Sequence, residues 1–165
     1  MKPIRNILLT ALLTIVGFSS LIYTACHKDK CVDMTCLNLG RCDNGVCKCP
    51  VGYEGLRCDT LSRNKFIYRF NGGDSCHVPV RFSQYHITFV TNTSKPTEMI
   101  MKNFLNNQDD SAFCTMWATD SFSFEGSNNS TTYNGIGKLY HDTLKMHYNV
   151  YFDTTNYSCV YTGGR

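Results

Sequence analysis

Ten cysteines are the residues in this 165-residue chain best equipped for chemistry. Six fall between Cys31 and Cys58, in the order C-x4-C-x5-C-x4-C-x1-C-x8-C. A cysteine can hold a metal, attack a substrate or form a disulfide, and spacing helps to separate these uses. Zinc modules are built on C-x2-C pairs, which this stretch lacks, so no metal is expected. Disulfides remain, with many connectivities open to six cysteines. Cys47 and Cys49 flank Lys48, and residues two apart on an extended segment share a face at about 7 Å, so these two suit separate partners. Asn44-Gly45 favours a tight hairpin turn between Cys42 and Cys47. Gly52 and Gly55 frame Tyr53 in a second turn, where the ring can cover a disulfide.

The other chemistry-bearing residues are scattered. The histidines, His27, His77, His86, His141 and His147, form no H-E-x-x-H or comparable ligand pair. Glu54, Glu98 and Glu125 are the only glutamates and lie in separate segments, so a glycosidase-type carboxylate pair is not visible. His77 adjoins Cys76, but adjacent side chains seldom meet as a nucleophile and base, and a disulfide would consume the thiol. No Gly-x-Ser-x-Gly elbow, phosphate loop or dinucleotide fingerprint is present. The expectation is a protein that is not an enzyme and carries no cofactor.

The cysteine spacing, Asn38-x-Gly40 before the third cysteine and Gly52-Tyr53-x-Gly55 before the sixth resemble an epidermal-growth-factor-like (EGF-like) module over residues 31–58. The resemblance implies the pairs Cys31–Cys42, Cys36–Cys47 and Cys49–Cys58. A segment this short and this poor in apolar residues needs such staples to fold. Calcium-binding members of the family carry acidic or amide residues just before the first cysteine. Here that segment is the mostly basic His27-Lys28-Asp29-Lys30, so the resemblance implies no calcium.

Residues 1–25 read as an export signal: Lys2 and Arg5, then the apolar run ILLTALLTIVGFSSLI, short for a bilayer span. The run ends in Tyr23-Thr24-Ala25-Cys26, which resembles the lipobox of bacterial lipoproteins, and of Bacteroidetes-type ones in accepting Tyr23. The resemblance implies that Cys26 is acylated and that residues 26–30 are a lipidated tether to the outer membrane, with the cell surface the favoured face. Several acyl chains would hold it stably. Removal of Lys2 and Arg5 would leave fourteen of the sixteen Lys+Arg against thirteen Asp+Glu. That near-neutral balance, without a basic run, speaks against nucleic acid as a partner.

Something must position all this, and from Asp59 onward the pattern changes to alternation. In SQYHITFV, Tyr85, Ile87 and Phe89 share a face. In TLKMHYNVYF, Leu144, Met146, Tyr148 and Val150 alternate with Lys145, His147, Asn149 and Tyr151. Further strands are expected at Lys65–Phe70, Glu98–Phe104, Ala112–Ala118, Ser121–Glu125, Tyr133–Tyr140 and Asn156–Thr162. Breaks are expected at Asn71-Gly72-Gly73, Asn106-Asn107-Gln108-Asp109-Asp110 and Gly126-Ser127-Asn128-Asn129. About eight strands over residues 59–165 make an all-β domain, an antiparallel barrel or a sandwich. Gly135-x-Gly137-x-Leu139 followed by Asp142-x-Leu144-x-Met146-x-Tyr148-x-Val150 resembles the last strands of lipocalin-like domains, which favours the barrel.

A closed sheet brings its first and last strands together, so Cys76 and Cys159 are expected to bond, leaving Cys114 free and buried. Met99, Met101, Met116 and Trp117 are read as core, with cavity lining the alternative. The expected function is non-enzymatic binding or adhesion at the cell envelope, toward a protein or glycan partner. The alternative is carriage of a small hydrophobic ligand. A filled core with Tyr133, Tyr140, Tyr148, Tyr151 and Tyr157 on the surface would favour the binder. Asp-Ser/Thr sequons that resemble a Bacteroidetes O-glycosylation signal mark Thr60, Ser111, Thr143 and Thr154 as candidate glycosylation sites.

Overall fold

Alternation of apolar and polar side chains dictates strands, and eight long strands follow from it. The computed structural model describes residues 30–77, 84–91, 94–128, 131–153 and 155–165. The export signal, Cys26 and Thr154 therefore lie outside the described residues. Four short strands come first: β1 (Arg41–Asp43), β2 (Val46–Lys48), β3 (Tyr53–Glu54) and β4 (Thr60–Leu61). The barrel follows: β5 (Arg69–Cys76), β6 (Gln84–Val90), β7 (Glu98–Lys102), β8 (Ser111–Ala118), β9 (Ser121–Asn128), β10 (Thr131–Tyr140), β11 (Thr143–Phe152) and β12 (Thr155–Gly164). Each barrel strand pairs antiparallel with the next, and β12 pairs back with β5. The fold is thus an up-and-down barrel rather than a sandwich, and closure leaves it no sheet edge.

Four disulfides are formed: Cys31–Cys42, Cys36–Cys47, Cys49–Cys58 and Cys76–Cys159. The first three are the pairs that the spacing resemblance implies. The fourth joins directly opposed residues of β5 and β12, across the seam where the barrel closes.

Packing divides the chain into two compact units. The smaller includes residues 30–35 and 42–46; the larger holds Cys36–Arg41 and Cys47–Arg165. Within the larger unit, the Gly52–Gly55 turn is fastened to the chain that enters the barrel. The Gly52 carbonyl accepts the Ser62 N–H at 2.9 Å, and Glu54 pairs with Lys65. Arg63 donates to the carbonyls of Lys95 (2.6 Å) and Glu98 (3.1 Å).

The barrel is filled by rings. β5 and β7 run in the same direction, so the 3-10 turn before β5 (Ser62–Phe66) and the one after β7 (Phe104–Asn106) lie at opposite ends. Phe66 plugs one end, its ring 5.8 Å from Phe89 and 5.3 Å from Phe122. Phe104 plugs the other, 5.2, 4.7 and 4.9 Å from Phe124, Tyr133 and Tyr148. Between them Ile87, Met99, Met101, Leu144 and Met146 are fully buried. Such edge-to-face contacts add about 0.5–1.5 kcal/mol each beyond the area they bury.

Four expected boundaries are corrected. The strand expected over Lys65–Phe70 begins only at Arg69: Ser62–Phe66 winds into a 3-10 turn that buries Phe66 in the barrel. Asn71-Gly72-Gly73 is not a break but the middle of β5. Gly72 pairs with Gly163, and a Cβ there would sit 2.1 Å from the Thr162 carbonyl oxygen, so the glycine serves close strand approach rather than a turn. Likewise Gly126 lies within β9, and the Tyr133 ring occupies the space a side chain would need. The strand expected over Glu98–Phe104 ends at Lys102, where Asn103 turns left-handed.

Candidate binding surface

Parity along the strands sorts the chemistry into an inside and an outside. Inside, Asp74 is 4% exposed and accepts the Tyr85 hydroxyl at 3.1 Å. Burial pushes the Tyr85, Tyr148 and Tyr161 phenols up, and the Asp74 charge adds to that push. Tyr161 donates to the Phe70 carbonyl at 2.9 Å. Tyr133 donates to the Asp110 carboxyl at 2.6 Å, and burial followed by that bond raises its phenol too. Tyr85, Tyr133 and Tyr161 are thus hydrogen-bonded core groups, whereas the Tyr148 hydroxyl is buried without a hydrogen-bond partner. Cys114 is free, fully buried and in contact with the Ala112 carbonyl; desolvation pushes its thiol up, which makes it a poor nucleophile.

Of the five tyrosines whose clustering on the surface would favour the binder, two do not reach it. Tyr133 and Tyr148 point inward, in phase with Leu139 and with Leu144 and Met146. Tyr140 and Tyr151 are exposed, and Tyr157 is half-buried. Trp117 is corrected in the other direction. The three methionines, Met99, Met101 and Met116, are core, but Trp117 is 57% exposed.

Outside, β8 to β11 present a face with relief. Phe113, Thr115 and Trp117 project from β8, Ser123 and Glu125 from β9, Asn134, Ile136, Lys138 and Tyr140 from β10, and Lys145 and His147 from β11. The small serines of β9 lie between bulkier neighbours and form the floor of two grooves. The larger, about 410 Å³, is lined by Phe113, Thr115, Ser123, Glu125, Asn134 and Ile136 among others. The smaller, about 130 Å³, shares Ile136 and is completed by Trp117, Ser121, Lys138, Tyr140, Lys145 and His147.

Trp117 continues the outward phase of Phe113 and Thr115 and sits at a break in the ladder. Met116 pairs with Phe122 and Ala118 with Ser121, so Trp117 is the extra residue of a β-bulge. Lys138 and Lys145 are directly opposed on β10 and β11, a like-charge pair that disfavours the sheet. Lys138 is partly neutralised, 3.4 Å from Asp120 and 5.3 Å from the Tyr140 ring centre. Slight burial pushes the Asp120 carboxyl up, but the Ser121 hydroxyl and Lys138 outweigh it and hold the group below its ordinary value. Lys145 has no carboxylate partner among the described residues.

Of the remaining candidates, Thr60, Ser111 and Thr143 are exposed, each at the start of a strand. The described histidines stay apart; His86 lies 3.0 Å from Arg69, and His147 alone joins a groove. Among the described residues no cluster of three His, Cys, Asp or Glu side chains is placed to hold a metal. The grooves themselves escaped sequence reasoning; the outward phase of Trp117, opposite to Ala112, Cys114 and Met116, is the signal that points to them.

Comparison of the chain with protein-family models, curated proteins and solved structures finds no match in any of the three. Fold and surface together define a class: a closed eight-stranded antiparallel barrel that follows a disulfide-rich N-terminal segment, with a buried aromatic and aliphatic cluster inside and grooves outside.

Proposed function

We propose that this protein is a non-enzymatic lipoprotein of the bacterial cell envelope, anchored through Cys26, in which an EGF-like stem carries a lipocalin-like barrel that binds its partner on the outer face. The observation that carries this reading is the contrast between the two sides of the sheet. A carrier of hydrophobic ligands needs an apolar lumen. Here Phe66, Phe104, Phe122 and Phe124 occupy that space, while Phe113, Trp117, Ile136 and Tyr140 stand in water. Large apolar side chains gathered on one patch of a soluble face mark an interaction site.

Two measurements on the full chain test it. A fluorescent fatty acid such as cis-parinaric acid is expected to show no saturable binding to the protein in detergent; stoichiometric binding would favour the carrier. Cys26→Ser is expected to abolish fatty-acid labelling and release the protein from membranes. Retention of both label and membrane association would overturn the anchor.

A further inference from the structure

The smaller groove on the outer face has the chemistry to select its ligand. We propose that it binds an anionic saccharide unit, one carrying a carboxylate or sulfate, with Trp117 and Tyr140 as ring platforms and Lys145 as the anion anchor. This rests on the outer-face reading above and names the class of partner.

Three independent features converge on it. The chain's sole tryptophan sits at a β-bulge that interrupts the ladder, and its indole is 57% exposed. Bulges re-aim side chains and are common beside functional sites. The apposed Lys138 and Lys145 disfavour the sheet unless an anion lies between or above them. Lys138 already has Asp120, so Lys145 is the ammonium left for a ligand. Lastly, His147 places an imidazole beside the rings, a polar partner for the hydroxyls of a sugar whose other face is apolar.

Saccharide is favoured over acidic peptide by the topology. Peptides that bind to sheets gain affinity by adding a strand to an open edge, and this barrel has none. The adjoining groove supports a chain of sugars rather than one. It continues past Ile136 to Phe113, Thr115 and Asn134, with Glu125 as its only charge. An acidic unit in the first groove and a neutral unit in the second would match that sequence of charges.

Trp117 is also the reporter. The full chain in detergent would be titrated with hexasaccharides of galacturonate, alginate and hyaluronan, with their carboxyl-reduced forms, and with sulfated galactan hexasaccharide, following Trp117 emission. Expected is saturable quenching by at least one acidic series and none by its reduced form. Lys145→Ala should weaken that binding about tenfold, the worth of one charge-assisted hydrogen bond. Affinity should fall as salt rises. Preference for the carboxylated or the sulfated series identifies the anion. Equal binding of reduced and acidic forms would overturn the anionic assignment and leave a glycan-binding face standing. Absence of binding by every saccharide would overturn this inference. In that case, binding of the labelled protein to intact cells, lost in Trp117→Ala, would show that the outer-face reading survives it, and no such binding would remove both.

Discussion

Between pH 10 and pH 12 the barrel is expected to lose its stability steeply and unfold. Tyr85, Tyr133, Tyr148 and Tyr161 are all at most 7% exposed, and burial raises each phenol above its ordinary value of 10.0. Below that value both folded and unfolded chains keep these protons, so their contribution does not change with pH. Above it the unfolded chain releases them and the folded chain does not, which favours unfolding. Each group contributes a slope of about 1.4 kcal/mol per pH unit, and four together about 5. A domain of ordinary stability, about 5–15 kcal/mol, would be exhausted within roughly one to three units. Urea unfolding measured at successive pH values gives the slope. Tyr148→Phe should reduce it by about a quarter, since one of the four ionisations is removed. A slope near zero, with the native dichroism intact at pH 12, would show that these phenols ionise in place.

The reason these tyrosines sit inside bears on what the sequence could disclose. Their phase was visible: Tyr85 alternates with Ile87 and Phe89, and Tyr148 with Leu144 and Met146. Tyr133 and Tyr148 nevertheless belong to the set whose clustering on the surface would have favoured the binder, and both lie inside. In the barrel, Asp110 supplies an acceptor for Tyr133 and Phe104 a ring for both. Each of those partners lies on another element, so only tertiary contact decides the matter. Gly72 teaches the same lesson. Asn-Gly-Gly reads as a turn from local conformational preference, but the approach of Thr162 and Gly163 makes it the middle of a strand. The eight strands were legible since alternation is local; the plug at Phe66 was not, for a ring closing a barrel end has no period.

The outer face was legible in part. Alternation puts Trp117 opposite to Met116, and therefore outside. The bulge that isolates it, and the apposition of Lys138 with Lys145, depend on registers between strands. Those registers are set by hairpin geometry. At His141, with φ of 55°, the chain reverses in two residues, and this tight connection fixes every pair from Tyr140–Thr143 onward. One residue more in that turn would move Lys145 off Lys138 and dismantle the groove without disturbing the composition.

The seam of the barrel gives the other large effect. The Cys76→Ala/Cys159→Ala double variant is expected to lose about 4 kcal/mol of stability. The bond closes a loop with a sequence separation of 83, and a loop of that size restricts the unfolded chain by about 4–5 kcal/mol on the loop-entropy argument. In the folded state the bond does little additional work, because its two residues are already paired in register between β5 and β12. The effect should therefore fall chiefly on the denatured chain, which becomes larger and exposes more surface once the link is gone. Urea unfolding distinguishes this from a packing defect. The midpoint should drop by about 2 M while the slope m increases, since m follows the surface exposed on unfolding. A midpoint drop with unchanged m would place the loss in native packing instead. A loss below about 1 kcal/mol would mean that the seam needs no staple, and that hydrogen bonding between β5 and β12 is enough to keep the barrel closed.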